Sequence, residues 1–180
     1  RYVDVSEPDF GVAILNDGRY GHGLFDGRVR VSLARAANYP DPNADRGRHA
    51  VNLAVFPHGA GLPAVVAEAE RFNIPLRVVS GSATQAPAPV VSVVGTGVEI
   101  DAIKLADEPT VAPARDLIVR LHEALGDRAR VALGCTRAVE RACTCTILED
   151  HLADLVVASD EVLLELRPFE LVTVRLRCAG

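Results

Sequence analysis

The residues with the most chemical capacity gather in one stretch, Asn16 to His49. At its far end stands Asp45-Arg46-Gly47-Arg48-His49. A guanidinium held between a carboxylate and a glycine can aim a rigid fork of donors at hydroxyls or at a carboxylate. At its near end Asn16-Asp17-Gly18 opens a glycine-rich turn that runs to Gly23. Asp17, Asp41 and Asp45 supply carboxylates to the same region, and glycosidases work with carboxylates set across a sugar. Each of these residues also suits a turn on conformational grounds alone. For Arg46 the plain alternative is a solvated surface arginine.

Other chemistries find weaker support. His22, His49, His58, His122 and His151 are scattered, and no His-x-x-x-His or His-Glu-x-x-His spacing joins them. A metal site would need the fold to gather them from afar. The strained Gly-x-Ser-x-Gly elbow of many serine hydrolases is absent, and Gly81-Ser82 lies in a soft loop. Gly95-Thr96-Gly97 reads as a turn between strands, because no helix follows to receive a dinucleotide phosphate. Cys135, Cys143, Cys145 and Cys178 lack the paired spacing of a zinc ribbon or finger. Cys143 and Cys145 stand two apart in a strand-like run, so their side chains share a face. They read as small, semi-buried thiols, and disulfide pairing is a matter of geometry that sequence does not supply.

The elements that must position the Asn16–His49 stretch are mostly strands. Arg1–Val5 and Phe10–Leu15 have strand length and composition, with a turn at 6–9 between them. Arg28–Arg35 alternates, with Val29, Val31 and Leu33 on one side. Ala36–Arg48 is a long polar loop carrying two prolines, two asparagines and two aspartates, and loops of that length inside domains are mostly functional or disordered. His49–Pro57 alternates again. Pro63–Phe72 predicts the one helix: Pro63 suits a first helical position, Val65, Val66, Ala69 and Phe72 form a stripe, and Asn73 with Pro75 ends it. It reads as a packing helix at a sheet edge. Pro75–Ser80 predicts a short strand, and the small, proline-rich Gly81–Pro89 a linker or a subdomain boundary.

Beyond it the sequence predicts strands at Val90–Val94, Val98–Leu105, Asp116–Ala124, Ala129–Leu133, Val139–Leu148, Glu161–Leu166 and Leu171–Arg177. Gly126-Asp127, Leu155–Asp160 and Pro168 punctuate them, and Asp107–Pro113 reads as a loop. Short strands with regular turn signals predict an antiparallel β-sandwich. The expected organisation is a mainly β chain, supersandwich-like, with one short edge helix. Residues 1–97 carry the first part of the sandwich, the 36–48 loop and the 63–72 helix. Residues 98–180 carry the remaining strands and a smaller C-terminal β subdomain.

Bulk properties bound the function. Net charge is −5 with no basic stripe, which argues against nucleic acid. No apolar run approaches the ~20 residues needed to cross a bilayer, and no signal peptide opens the chain. These features predict a cytoplasmic protein. The chain starts at Arg1 and has no methionine, which predicts a piece of a longer protein.

The segments LNDGRYGHGL and RVRVSLARAANYPDPNADRGRH, then the run to Phe56-Pro57-His58, resemble the C-terminal β-domain of glycoside hydrolase family 38, the α-mannosidases. AEAERFNIP at 67–75, VEIDAIKLADE followed by DLIVRLHEALG, Thr146–Glu149 and Leu166–Thr173 continue the likeness in order. The bacterial type, with Tyr39-Pro40-Asp41-Pro42 ahead of Asp-x-Gly-x-His, fits best. The chain differs from the pattern at Gly18, Ala34, Ala36 and Ala37, and at Cys143 and Cys145. The resemblance implies a parent enzyme that hydrolyses terminal α-mannosides with retention, using zinc to hold sugar hydroxyls. It places the zinc, the nucleophilic aspartate and the acid/base group in an N-terminal catalytic domain. It therefore implies no catalytic residue, metal ligand or cofactor in this stretch, which is expected to be inactive alone.

What carries over is a cleft lining: Arg46, with Asp45, Gly47 and His49, and beside them Asn16 and Asp17. The implied partners are the parent's own catalytic domain and an α-mannoside. An exposed apolar docking face would favour homo-oligomers of the isolated piece. A stand-alone carbohydrate-binding or structural β-sandwich is the alternative. Against the former, aromatic residues make up only 4% of the chain and tryptophan is absent, leaving few stacking platforms.

Overall fold

The computed structural model describes residues 1–78, 80–81, 88–107 and 116–179. The strands are β1 (Tyr2–Ser6), β2 (Phe10–Asn16), β3 (His22–Phe25), β4 (Arg28–Val31) and β5 (Leu53–Gly59), followed by the helix α1 (Pro63–Asn73). Then come β6 (Val91–Val94), β7 (Val98–Leu105), β8 (Leu117–Glu123), β9 (Ala129–Cys135), β10 (Val139–Cys145), β11 (His151–Leu155), β12 (Val157–Ala158), β13 (Glu161–Leu166) and β14 (Leu171–Cys178). They form two compact units, Arg1–Ser80 and Gly81–Gly180. The second unit begins in the stretch expected as linker or subdomain boundary, ahead of the division drawn at residue 97, because β6 pairs with β9. Much of the expected linker and the whole of 108–115 lie outside the described residues.

The first unit is an antiparallel sheet in the order β1-β2-β5 with a separate hairpin, β3-β4. Strand alternation sends Ala13 and Leu15 to one face, where they pack against Val65 and Ala69 of α1. Tyr2, Ala54, Phe56, Leu62 and Phe72 close this core. Full burial of each valine or leucine contributes roughly 1.5–3 kcal/mol. The helix, expected at a sheet edge, thus lies over the middle strand. It ends where Ile74 precedes Pro75, a position that disfavours helical backbone. On the other face Val5, Val12 and Ile14 line a cleft of about 480 Å³ with Leu24, Phe25 and Val29 of the hairpin.

Four local expectations for this unit differ from the structure. The strand expected over 28–35 stops at Val31, after which Ser32 N–H donates to Gly21 O and the ladder ends. Its partner β3 begins inside the turn expected over 16–23. The signal was Asp26-Gly27, both at positive φ (51° and 67°), the pair that a tight two-residue hairpin demands. The strand expected from His49 starts at Leu53, because the residues before it are tied elsewhere. The short strand expected at Pro75–Ser80 is absent from the described part of that range: Leu76 and Val78 are 97% and 96% exposed, and nothing pairs with them among the described residues.

The second unit is the sandwich. A five-stranded sheet, β11-β10-β14-β8-β7, faces a four-stranded one, β12-β13-β9-β6. Val119, Leu121, Val174 and Leu176 come from the first, and Val131, Leu133, Val162, Leu164 and Leu166 from the second. This is the larger core of the two units. Glu161–Leu166 shows the rule most cleanly, alternating exposed and buried along its length. The expected punctuation at 155–160 contains strand: β11 ends at Leu155, and Ser159 and Asp160, at φ 53° and 64°, turn β12 into β13. The chain is mainly β and antiparallel, with a single described helix of 11 residues. No described helix is long and apolar enough to cross a membrane.

Candidate functional site

The register of β2 and β5 sets Asn16 opposite Leu53, so the chain entering the 16–22 turn and the chain leaving the 36–52 segment lie side by side. Asn16 is fully buried. Its Oδ1 accepts from Gly18 N (3.0 Å) and Arg19 N (2.8 Å), which folds the turn. Its Nδ2 meets His22 Nε2 at 3.4 Å. Its carbonyl accepts from Asn73 Nδ2 at the end of α1, at 3.1 Å. Asp17, next along, is exposed and takes both the backbone N–H and the side-chain amide of Asn52, at 2.9 and 2.8 Å. Those hydrogen bonds, the Asn52 backbone one foremost, hold the Asp17 carboxyl below the ordinary carboxylate range.

The long loop is closed at its neck by Asp45. Its Oδ2 accepts from Ala36 N at 2.5 Å, and its carbonyl meets His49 Nε2 at 2.9 Å. Within the loop Asp41 Oδ1 caps Asn43 N at 2.8 Å, and Arg46 N donates to Asn43 O at 3.0 Å. Gly47 adopts φ 142°, a conformation that a side chain resists, and open space surrounds it. Arg46 is exposed, and its guanidinium makes no hydrogen bond or ion pair among the described residues.

The six candidates therefore divide by what they touch. Asn16, Asp17, Asp45 and His49 fold the turn and the loop, and Gly47 lets the backbone bend. Arg46 alone points an unspent charged group at solvent. No described hydrogen bond links 41–49 directly to Asn16 or Asp17; the connection runs through Asn52, three residues beyond His49. Sequence pattern gives Asn52 no role and marks Asn73 only as a helix stop, since each reaches the site through a partner far along the chain.

Chemically the arrangement suits recognition. Asp17 Oδ2 takes two N–H donors and Asp45 Oδ2 one, so both carboxylates serve to hold the turn and the loop in shape. The histidines each find a separate partner: His58 with Asp4, His122 with Asp101 and His151 with Asp154. Among the described residues no three His, Cys, Asp or Glu side chains converge to hold a metal ion. The zinc that the resemblance implies therefore has no ligand set among them.

Comparison with known proteins assigns both ends of the chain to one family. The Glycosyl hydrolases family 38 C-terminal domain matches residues 1–43, and the Glycosyl hydrolases family 38 C-terminal beta sandwich domain matches residues 97–174. Among similar proteins, Alpha-mannosidase 2C1 of Homo sapiens is 31% identical over 98% of this chain and 17% of its own length. Alpha-mannosidase G of Dictyostelium discoideum is 30% identical over 70% of this chain and 12% of its own. Alpha-mannosidase of Saccharomyces cerevisiae is 28% identical over 98% of this chain and 18% of its own. The chain thus spans under one fifth of the length of the curated relatives it matches.

Proposed function

The chain belongs to glycosyl hydrolases family 38, as part of its C-terminal β region, and from that membership we propose that it serves an α-mannosidase. In this reading the protein hydrolyses terminal α-mannosides. A catalytic domain elsewhere in it carries the zinc and the reacting carboxylates, and the 180 residues alone do not turn over substrate. The observation that carries the proposal is the order of the matches. Two C-terminal models of one family fall in sequence along the chain, and 31% identity to a protein named as an α-mannosidase runs through 98% of it.

The first unit presents the sugar-facing parts. The Asp45 clasp holds the loop closed, and Arg46 extends from it toward hydroxyls of the bound mannoside. Asn16 and Asp17 anchor the adjoining turn. The sheet face bearing Val5, Phe10 and Val55, at 48%, 50% and 68% exposure, is the surface we assign to packing against the rest of the protein. In the isolated piece the same face favours self-association. We place the protein in the cytoplasm, a reducing compartment in which a bridge between its cysteines forms in response to oxidant and not as a permanent staple.

The test is hydrolysis of an aryl α-mannoside. The whole protein should cleave it and lose activity to a chelator, and the purified 180-residue chain should not. Turnover by the chain alone, or none by the whole protein, would refute the assignment. A second reading draws on Tyr20 and Tyr39, which stand 81% and 88% exposed in the turn and the loop. Such rings can stack on sugar faces. Saturable mannoside binding by the isolated chain would favour a carbohydrate-binding module.

A further inference from the structure

We propose that Cys135 and Cys178 are a disulfide-forming pair that staples the two sheets of the second unit together at one corner. Cys135 ends β9 in the four-stranded sheet, and Cys178 ends β14 in the five-stranded sheet. Their Sγ atoms lie 3.6 Å apart. The corner that brings them together is residues 136–138, where the chain leaves β9 and enters β10. It is pinned on both sides: Thr136 N donates to Val90 O at 3.1 Å, and Ala179 N to Ala138 O at 2.9 Å. Val139, the first residue of β10, pairs directly with Cys178. Both thiols are partly exposed, so a small oxidant can reach them.

The other thiol pair makes an internal control. Cys143 and Cys145 approach almost as closely, 3.7 Å between sulfurs. They sit two residues apart on β10, which is paired in regular register with β14 over this stretch and with β11 through a bulge between Thr144 and Cys145. Residues i and i+2 of an extended strand are separated by roughly 6.5 Å. A disulfide asks for Cβ atoms about 3.8 Å apart. Bridging this pair would therefore pull β10 out of its ladders, whereas the corner pair joins two strand ends with no ladder between them.

The oxidant is a small-molecule disulfide such as oxidised glutathione, and the step is thiol–disulfide exchange. Cys135, as thiolate, attacks one sulfur of the reagent, forms a mixed disulfide and releases one thiolate. Cys178 then attacks the Cys135 sulfur, forms the bridge and releases the second. The two protons of the cysteines end on the two released thiols. Burial, then the adjoining Cys135 sulfur, push the Cys178 thiol up to about 12. Exchange is accordingly slow at neutral pH and faster in mild alkali.

The experiment is incubation of the protein with oxidised glutathione, alkylation under denaturing conditions and peptide mapping, alongside thermal unfolding. The expected map links the Cys135 and Cys178 peptides and recovers Cys143 and Cys145 alkylated. The bridge closes a loop spanning 43 residues, so Tm should rise by about 10 °C and fall back with dithiothreitol. Cys178→Ser should abolish both effects, and Cys143→Ser neither. Recovery of Cys135 and Cys178 as free thiols or separate glutathione adducts overturns the proposal. So does a Cys143–Cys145 link, or a corner bridge that leaves Tm unmoved.

Discussion

The His58 imidazole, on one outer strand of the three-stranded sheet, reaches across the middle strand to Asp4 on the other, with Nε2 2.8 Å from Oδ1. Its second nitrogen, Nδ1, lies 2.7 Å from Gly59 O. Both ring nitrogens thus face acceptors, and both can be satisfied only when both carry hydrogen. The charged imidazolium is the form that this pocket fits. The Asp4 carboxylate raises the His58 pKa most, burial opposes it, and the Gly59 carbonyl adds to the rise.

A histidine raised above its unfolded value contributes stability that is fully present below that value, about 6.5. The contribution is lost as pH climbs through the higher folded value. The melting temperature of the first unit should therefore fall above about pH 6.5. In Asp4→Asn that part of the pH dependence should disappear. An unchanged alkaline slope in Asp4→Asn would show that the pair does not carry it.

Gly11 on β2 is what leaves room for that reach. A Cβ built there would lie 2.4 Å from His58 Nε2 and 2.7 Å from Ser6 Cβ. Gly11→Ala must push the ring off Asp4 or bend the strand, at a cost of about 1–3 kcal/mol. Denaturant unfolding should show a lower midpoint, and the His58 pKa measured by NMR should fall back toward the ordinary value. Gly59→Ala on the adjoining strand meets open space and serves as the control.

Where local pattern decides structure, the sequence was readable. Val162, Leu164 and Leu166 announce β13 by alternation, and Val65, Val66 and Ala69 announce α1 by helical spacing. Tight turns are harder to place: Asp26-Gly27 makes a hairpin beyond the turn expected over 16–23, and Ser159-Asp160 makes one inside the punctuation expected over 155–160, which also contains the short β12. The candidate site was legible as a region and not as roles. Asp45 and Arg46 are neighbours in sequence, yet one is spent on Ala36 N and the other is free. That difference is set by which amide the folded loop brings to the carboxylate, and no spacing rule encodes it. Asn52 illustrates the same limit, since its use depends on the β2–β5 register.

Glu123 ties two loops of the sandwich. It is 1% exposed, and its carboxylate accepts from Leu125 N and Gly126 N at 2.8 Å and from Phe169 N at 2.9 Å. Burial alone pushes this carboxyl up, but the N–H groups of Phe169, Leu125 and Gly126 outweigh it and hold it below the ordinary range. A depressed carboxyl contributes stability present above its unfolded value, about 4.3, and lost as pH falls through the folded one. Glu123→Gln sets an amide NH2 against backbone donors and should destabilise the unit by about 1–3 kcal/mol. Thermal unfolding of the wild type should steepen below about pH 4.3, and the variant should show less of that acid dependence. A variant as stable as wild type at pH 7 would mean that the loops hold without the carboxylate.

Asp45 and Arg46 should separate in the whole protein, because one shapes the loop and the other is proposed to touch the sugar. Arg46→Ala removes a charge-assisted donor worth roughly 1.5–3 kcal/mol, so kcat/KM on an α-mannoside should drop by about 10- to 100-fold. Arg46→Lys should recover part of this, since a point charge replaces the planar fork. Neither change disturbs the Ala36–Asp45 clasp, so the rate of protease cleavage within 36–49 should stay as in wild type. Asp45→Ala opens that clasp, and cleavage there should accelerate as the loop visits open forms more often. Asp45→Asn retains an oxygen for Ala36 N and should restore protection. Loss of kcat/KM in Asp45→Ala should accordingly follow loop opening and be rescued by asparagine. The loss in Arg46→Ala should come with an intact loop. If Arg46→Ala accelerated proteolysis as much as Asp45→Ala does, Arg46 would be a loop-folding residue and its role in sugar recognition would be lost.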